Sequence, residues 1–211
     1  MADASDSIAD HLADYIADHQ LAPGARLPPE RELAVQLGIS RPALREATRR
    51  LIGLSVLEPR AGSGTYLADV DSEDLMLVRL QLEPLAASLA AERATEEQVL
   101  DLQQLLAQLS RLEGRPGAFA KADLRLHSAV AAYCGNRFLS GCLSELNAAL
   151  RLSRARTVRD PARRARTVTE LHALVVAIAG GRPDAAAAAM RAHLTGVSGI
   201  RRRSAGRRPA I

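Results

Sequence analysis

From Asp71 onward, apolar residues recur three and four apart in Leu- and Ala-rich segments, and little of the pattern alternates with the period of a strand. Such spacing marks amphipathic helices, each of which must bury its stripe against a neighbour. The runs RATEE, EGRPG, YCGN, RDPA and GGRPD interrupt the pattern and cut it into six expected helices, at 71–93, 95–113, 117–133, 137–156, 160–179 and 183–199. Aromatic residues make up only 2% of the chain, so Leu, Ala and Val must build the core. Helices of this length joined by short connections give an antiparallel bundle.

The first part of the chain reads differently. Ile8, Leu12, Tyr15 and Ile16 sit at helical spacing before the loop LAPGARLPPE. Glu30 to Leu37 reads as a short second helix, Gly38 to Ser40 as a tight turn, and Arg41 to Leu54 as a third helix with Ser40 as its N-cap and Pro42 in its first turn. SVLEPR and GTYL are short β-capable runs joined by AGSG, which predicts a hairpin. Helix, helix, turn, helix, hairpin is the order of a winged helix-turn-helix. The expected fold is therefore mainly α: a winged helix-turn-helix over residues 1–69, an all-α antiparallel bundle over 70–199 and a basic, disordered tail over 200–211.

Charge alone does not locate a DNA-binding part. The net charge is +4, yet residues 1–68 hold seven arginines against nine acids. The excess lies in Arg201, Arg202, Arg203, Arg207 and Arg208 and between Arg151 and Arg166. A tail of this kind is most simply a solvated end. No apolar run approaches the roughly 18 residues of a spanning helix, and the acidic start with Asp3, Asp6 and Asp10 lacks a basic leader, so a cytoplasmic protein is expected, with no membrane partner. Cys134 and Cys142 make neither a disulfide framework nor a zinc ribbon.

Arg41 and Arg45, four apart, share one face of the third helix, and an arginine there can donate two hydrogen bonds to guanine O6 and N7. Arg31 could reach the same groove or its phosphates, Arg49 and Arg50 suit phosphates, and the glycines flanking Ser63 allow a wing tip to approach the backbone. The plainer alternative is that Arg45 and Arg49, with Glu46 between, form an ordinary solvated face. The stretch LPPERELAVQLGISRPALREATRRL followed by RAGSGTYL resembles the DNA-binding module of GntR-family regulators over residues 7–68. That resemblance implies double-stranded operator DNA as partner, with Arg31, Arg41, Arg45 and Arg49 on the helix-turn-helix and Gly62 and Ser63 at the wing tip as contacts. Ser55 stands where the family usually has glycine, and Pro59 lies within the first wing strand.

In the bundle, Asp123 and His127 are four apart, and Phe119, Val130 and Cys134 fall within about 40° of Asp123 at about 100° per residue, so the pair faces inward. His172 shares a face with Val168, Val176 and Ala179, and His193 with Ala189, Val197 and Ile200, so both imidazoles are also expected to point into the bundle. Together these four would make an N3O set suited to Zn²⁺, Ni²⁺, Co²⁺ or Mn²⁺. Taken singly, a core histidine is more often merely hydrogen-bonded, and Asp123 with His127 could be a helix ion pair. Arg79 lies on the apolar side of its helix with Leu75, Leu82 and Ala86 and needs an anion, for which Glu83, four residues on, is the local candidate.

The pieces RLQLEPLAASLAAERAT, DLRLH, CGN, ELHALVVAI and MRAHL resemble, in order, the C-terminal domain of the FadR subfamily of GntR regulators over residues 72–195. There an Asp-x-x-x-His and two later histidines bind metal, which implies Asp123, His127, His172 and His193 as ligands here. The resemblance also implies that Arg79 helps bind a small organic acid effector, with Asn136, Arg125 and Arg151 as further pocket candidates; Arg137 departs from a common proline. The function implied is a homodimeric repressor released from a palindromic operator by a carboxylate bound beside a metal ion. A metal sensor whose effector is the ion itself, and a metal-dependent enzyme, are the alternatives; no general base or catalytic motif accompanies the site.

Overall fold

The computed structural model describes residues 8, 11, 12, 15, 16, 19, 21–68, 72–153 and 160–198, with the backbone alone at 72, 73, 148–153 and 198. The expected basic tail and the arginines between 154 and 159 lie outside the described residues, as does the side chain of Arg151. Ile8, His11, Leu12, Tyr15 and Ile16 are helical, and Leu12 and Ile16 are buried. Helix α1 (Glu30–Gln36) ends at Gly38, whose φ of +66° allows the chain to reverse, and Ile39 N–H then donates to the Ala34 carbonyl at 3.0 Å. Helix α2 (Arg41–Gly53) starts on Ser40, whose hydroxyl accepts from Ala43 N–H, with Pro42 in the first turn.

After α2, strands β1 (Leu57–Arg60) and β2 (Gly64–Leu67) pair antiparallel, with Leu57 opposite Leu67 and Arg60 opposite Gly64. Arg26 bridges to Tyr66 on the other side of β2, so β1 is the edge strand, where a residue without N–H such as Pro59 is tolerated. Leu12, Leu33, Leu44, Leu51, Val56 and Leu67 form the core that joins helices and hairpin. Ser55, just before β1, has φ +56°, which explains why glycine suits this position.

Six helices follow: α3 (Ser72–Arg93), α4 (Glu96–Arg111), α5 (Pro116–Tyr133), α6 (Arg137–Ser153), α7 (Pro161–Ala179) and α8 (Pro183–Ser198). Thr95 caps α4 in a full capping box with Gln98, and Asp160 caps α7. The core of Leu102, Leu106, Leu126, Leu171, Leu174 and Met190, with Phe119 as its one buried aromatic ring among the described residues, is aliphatic as expected. Helix α3 packs on α8, α5, α7 and α6 and is the centre of the domain.

Pro84 lies inside α3, where it cannot donate to the Leu80 carbonyl. Arg191 of α8 donates to that oxygen at 3.2 Å instead, so the helix defect becomes a docking point between α3 and α8. Glu83 is next in the chain to Pro84, and Arg191 stands two residues before His193 on α8; Glu83 and His193 both belong to the candidate site.

Candidate functional site: a DNA-reading helix and a buried histidine–carboxylate cluster

On the N-terminal module Arg31, Arg41, Arg45 and Arg49 are all exposed, and the wing tip presents Gly62 with φ +67° and a half-buried Ser63 whose hydroxyl bonds the Tyr66 hydroxyl at 2.5 Å. Arg60 lies over the Tyr66 ring and stiffens the hairpin. Sequence reasoning missed how the two arginines of α2 are held. Glu30 accepts from Arg45 Nε at 3.1 Å and Nη2 at 2.8 Å, and from Arg41 Nε at 3.4 Å. These hydrogen bonds, Arg45's foremost, hold the Glu30 carboxyl below the usual carboxylate range. Arg49 pairs with Glu46 on its own helix. At the far end of α2, Arg50 donates through Nε and Nη2 to Glu145 of α6 at 3.0 and 2.7 Å, tying the module to the helical domain.

Within the bundle, Asp123 and His127 of α5 and His193 of α8 are buried, and their ligand-capable atoms lie within 4.8 Å of one another. The two Nε2 atoms stand 3.1 Å apart, and Asp123 Oδ1 is 3.7 Å from one and 4.0 Å from the other. Each imidazole is turned by a carboxylate on its opposite side: His127 Nδ1 meets Glu83 Oε2, and His193 Nδ1 meets Glu170 Oε2 at 2.9 Å. A carboxylate only accepts, so each Nδ1 carries the proton. With each Nδ1 committed to a carboxylate, the two Nε2 atoms and Asp123 converge on one point, where a positive ion would be held.

The donor set fits a divalent metal. Ligands at about 2.0–2.1 Å in tetrahedral geometry lie about 3.3 Å apart, close to the Nε2 separation, and a carboxylate behind each histidine is the usual support of such a site.

The supporting acids are themselves anchored. Arg79 Nε donates to Glu83 Oε1, and both residues are buried. Burial opposes the Glu83 charge, but His127 and Arg79 outweigh it and hold the carboxyl far below its usual range. Arg163 Nη1 donates to Glu170 Oε1 at 3.0 Å and Nη2 to Oε2. Burial likewise opposes the Glu170 charge, and His193 with Arg163 draws its carboxyl below the usual range. Gly196 leaves room for this pair across α8: a Cβ there would stand 2.8 Å from Arg163 Nη1 and 3.0 Å from Glu170 Oε1, so the pair would have to shift.

Three expectations need correction. His172 is exposed on α7, because the buried stripe runs through Leu171, Leu174, Val175 and Ile178, about 100° away from the face on which Val176 and His172 stand. The cluster is therefore N2O rather than N3O among the described residues. Arg125 is also exposed and faces away from the cluster's buried residues on α5. Asn136 spends its side-chain oxygen on the first turn of α6, accepting from Phe138 and Leu139 N–H, and so acts as a helix cap. Arg79 is buried as expected, and its Nη2 has no hydrogen-bond partner among the described residues. Glu83, weighed only as a partner for Arg79, also orients His127; Glu170 and Arg163 were not anticipated.

A winged helix-turn-helix joined to a six-helix domain that encloses a buried polar cluster defines a two-domain class of DNA-binding protein. Residues 4–67 match the bacterial regulatory proteins, gntR family, and residues 74–196 match the FCD domain, so the chain belongs to the GntR family of transcriptional regulators with an FCD-type C-terminal domain. It is a DNA-binding regulator and not an enzyme. An Escherichia coli (strain K12) protein named provisionally as an L-lactate dehydrogenase operon regulatory protein is 32% identical over 217 residues, covering 90% of this chain and 83% of its own length. LutR, an HTH-type transcriptional regulator of Bacillus subtilis (strain 168), is 30% identical over 208 residues, covering 88% and 95%. The solved structure of E. coli McbR/YncC shares the fold at 21% identity with a TM-score of 0.77, over 92% of this chain and 95% of that one.

Proposed function

We propose that this chain is a homodimeric repressor, with residues 1–69 on DNA and 70–199 responding to an effector, and that a small organic acid releases it from a palindromic operator. A dimer presents two copies of α2 to the two halves of such a site. The cytoplasm, where operator DNA lies, is its proposed location; no helix among the described residues is long and apolar enough to cross a membrane. Arg31, Arg41, Arg45 and the wing tip at Gly62 and Ser63 are the proposed contacts to bases and groove, and Arg49 a phosphate contact.

The observation that carries the effector reading is the convergence of Asp123 and the two Nε2 atoms of His127 and His193 beside a buried Arg79. These three residues would hold Zn²⁺, Ni²⁺, Co²⁺ or Mn²⁺, and the ion would supply positive charge and an open coordination position to a carboxylate. Arg79 Nη2 would supply a second contact to the acid. The names of the lactate-operon relative and LutR make 2-hydroxy acids the first class to try. Because Glu83 already neutralises Arg79 within the chain, an ion acting alone as effector is the second reading.

The test is binding of the purified protein to a fragment upstream of its own gene at several salt concentrations, with EDTA, with each metal, and with each metal plus lactate, glycolate or pyruvate. Release by metal and acid together supports the first reading, release by metal alone the second. Selective binding that neither changes would remove the effector role from the cluster.

A further inference from the structure

We infer that Glu30 is a specificity-determining positioning residue of the DNA-reading surface, acting through Arg41 and Arg45. It stands at the start of α1 and reaches across to α2, 11 and 15 residues on, with both arginines on one carboxylate. Exposed ion pairs contribute little to folding, typically below about 1 kcal/mol, and the arginine side chains here are 57% and 50% exposed. A carboxylate on a surface that must meet polyphosphate also weakens general attraction to DNA. What Glu30 does supply is geometry. Arg45 is gripped side-on through Nε and Nη2, which fixes the plane of its guanidinium and leaves Nη1 pointing onward. Arg41 is gripped through Nε alone, which leaves both terminal amines, the pair that guanine O6 and N7 accept. One carboxylate thus fixes the plane of one guanidinium and sets the spacing between two base-reading arginines one helical turn apart. It also biases both arginines away from swinging out to a phosphate.

The inference rests on α2 being the reading helix. It is tested with full-length wild type, Glu30→Ala and Glu30→Gln, each used to select from a pool of duplexes with a randomised core, followed by affinity for the wild-type winner and for the unselected pool. Wild type should enrich one consensus. Glu30→Ala should bind the unselected pool about fivefold more tightly at 0.15 M salt, because one more neutralised phosphate adds about 0.9 to the salt slope. Its preference for the winner over the pool should fall at least tenfold, and base preference should blur at the positions that Arg41 and Arg45 read. Glu30→Gln keeps a neutral acceptor and should recover part of that preference; it also carries the test if Glu30→Ala does not fold by circular dichroism. If Glu30→Ala or Glu30→Gln selects the same consensus with undiminished preference, the positioning role is overturned. If wild type itself enriches nothing, the assignment of α2 fails and the inference with it.

Discussion

Arg79 and Glu83 form a pair one helical turn apart, both nearly inaccessible to water, and the pair should show strong coupling. Replacing Glu83 by Leu strands a guanidinium in the bundle and also strips His127 of its Nδ1 acceptor; breaking a buried pair from one side costs about 3–5 kcal/mol. Arg79→Met leaves Glu83 with His127 as its remaining partner and should cost about 2–4 kcal/mol. The double variant removes both charges and keeps apolar volume, so its cost should be near that of one unsatisfied imidazole N–H, about 1–3 kcal/mol. The expected coupling is therefore about 2 kcal/mol or more, well above that of an exposed helix pair. Urea unfolding of the full chain at pH 7 in EDTA, followed by far-UV circular dichroism, gives the four free energies. A double variant that loses the sum of the two single losses within about 1 kcal/mol would refute the reasoning, since it would mean that the two charges do not depend on each other.

Other outcomes follow from single contacts. Ser55→Gly should stabilise by about 0.5–1 kcal/mol, because Ser55 holds φ +56°; an unchanged or lowered urea midpoint counts against it. Arg191→Met should cost about 1 kcal/mol by leaving the Leu80 carbonyl without its donor, and Pro84→Ala in that background should restore most of the loss by returning an N–H; no rescue would sink this account. A hydrogen bond to Asp101, then burial, raises the Tyr133 phenol from about 10 to about 12. The folded state thus binds this proton more tightly, so the contribution is intact below pH 10 and lost as pH climbs through 12. Tyr133→Phe should flatten that part of the stability profile, and an unaltered slope there would contradict it. His172→Ala should leave Zn²⁺ or Ni²⁺ affinity within about twofold, whereas His193→Ala should weaken it at least 100-fold, because the second lacks a direct ligand and the first does not; equal losses would restore His172 to the site.

The parts of this structure legible in the sequence are those set by local chemistry. Ser40 as a cap, Gly38 as a turn, the hairpin around AGSG and the spans of the helices follow from neighbours within a few residues, and where both ends of a helix of the bundle are flanked by described residues the boundaries differ by two residues or fewer. The inward turn of Asp123 and His127 was also readable, because the apolar residues on α5 leave one stripe. On α7 two apolar stripes compete. Val168, Val176 and Ala179 pointed to His172, but the larger Leu171, Leu174 and Ile178 bury more surface and set the rotation of the helix. The carboxylates at 30, 83 and 170 carry partners 11 to 44 residues distant, except for Arg79 and Arg163 on their own helices, and no local pattern announces which charges the fold brings together.

The bond between Arg50 and Glu145 gives α2, the proposed reading helix, a pivot. Arg41 lies nine residues nearer the start of α2, a lever arm of about 13 Å at about 1.5 Å per residue. A swing of about 5° around that pivot carries Arg41 sideways by about 1 Å, wider than the roughly 0.5 Å window in which a bidentate hydrogen bond keeps its strength. Helix α6, which carries Glu145, also holds Asn147 against Ser128, next in the chain to His127. A slight tilt of α6 would thus be amplified at the far end of α2 with every helix intact.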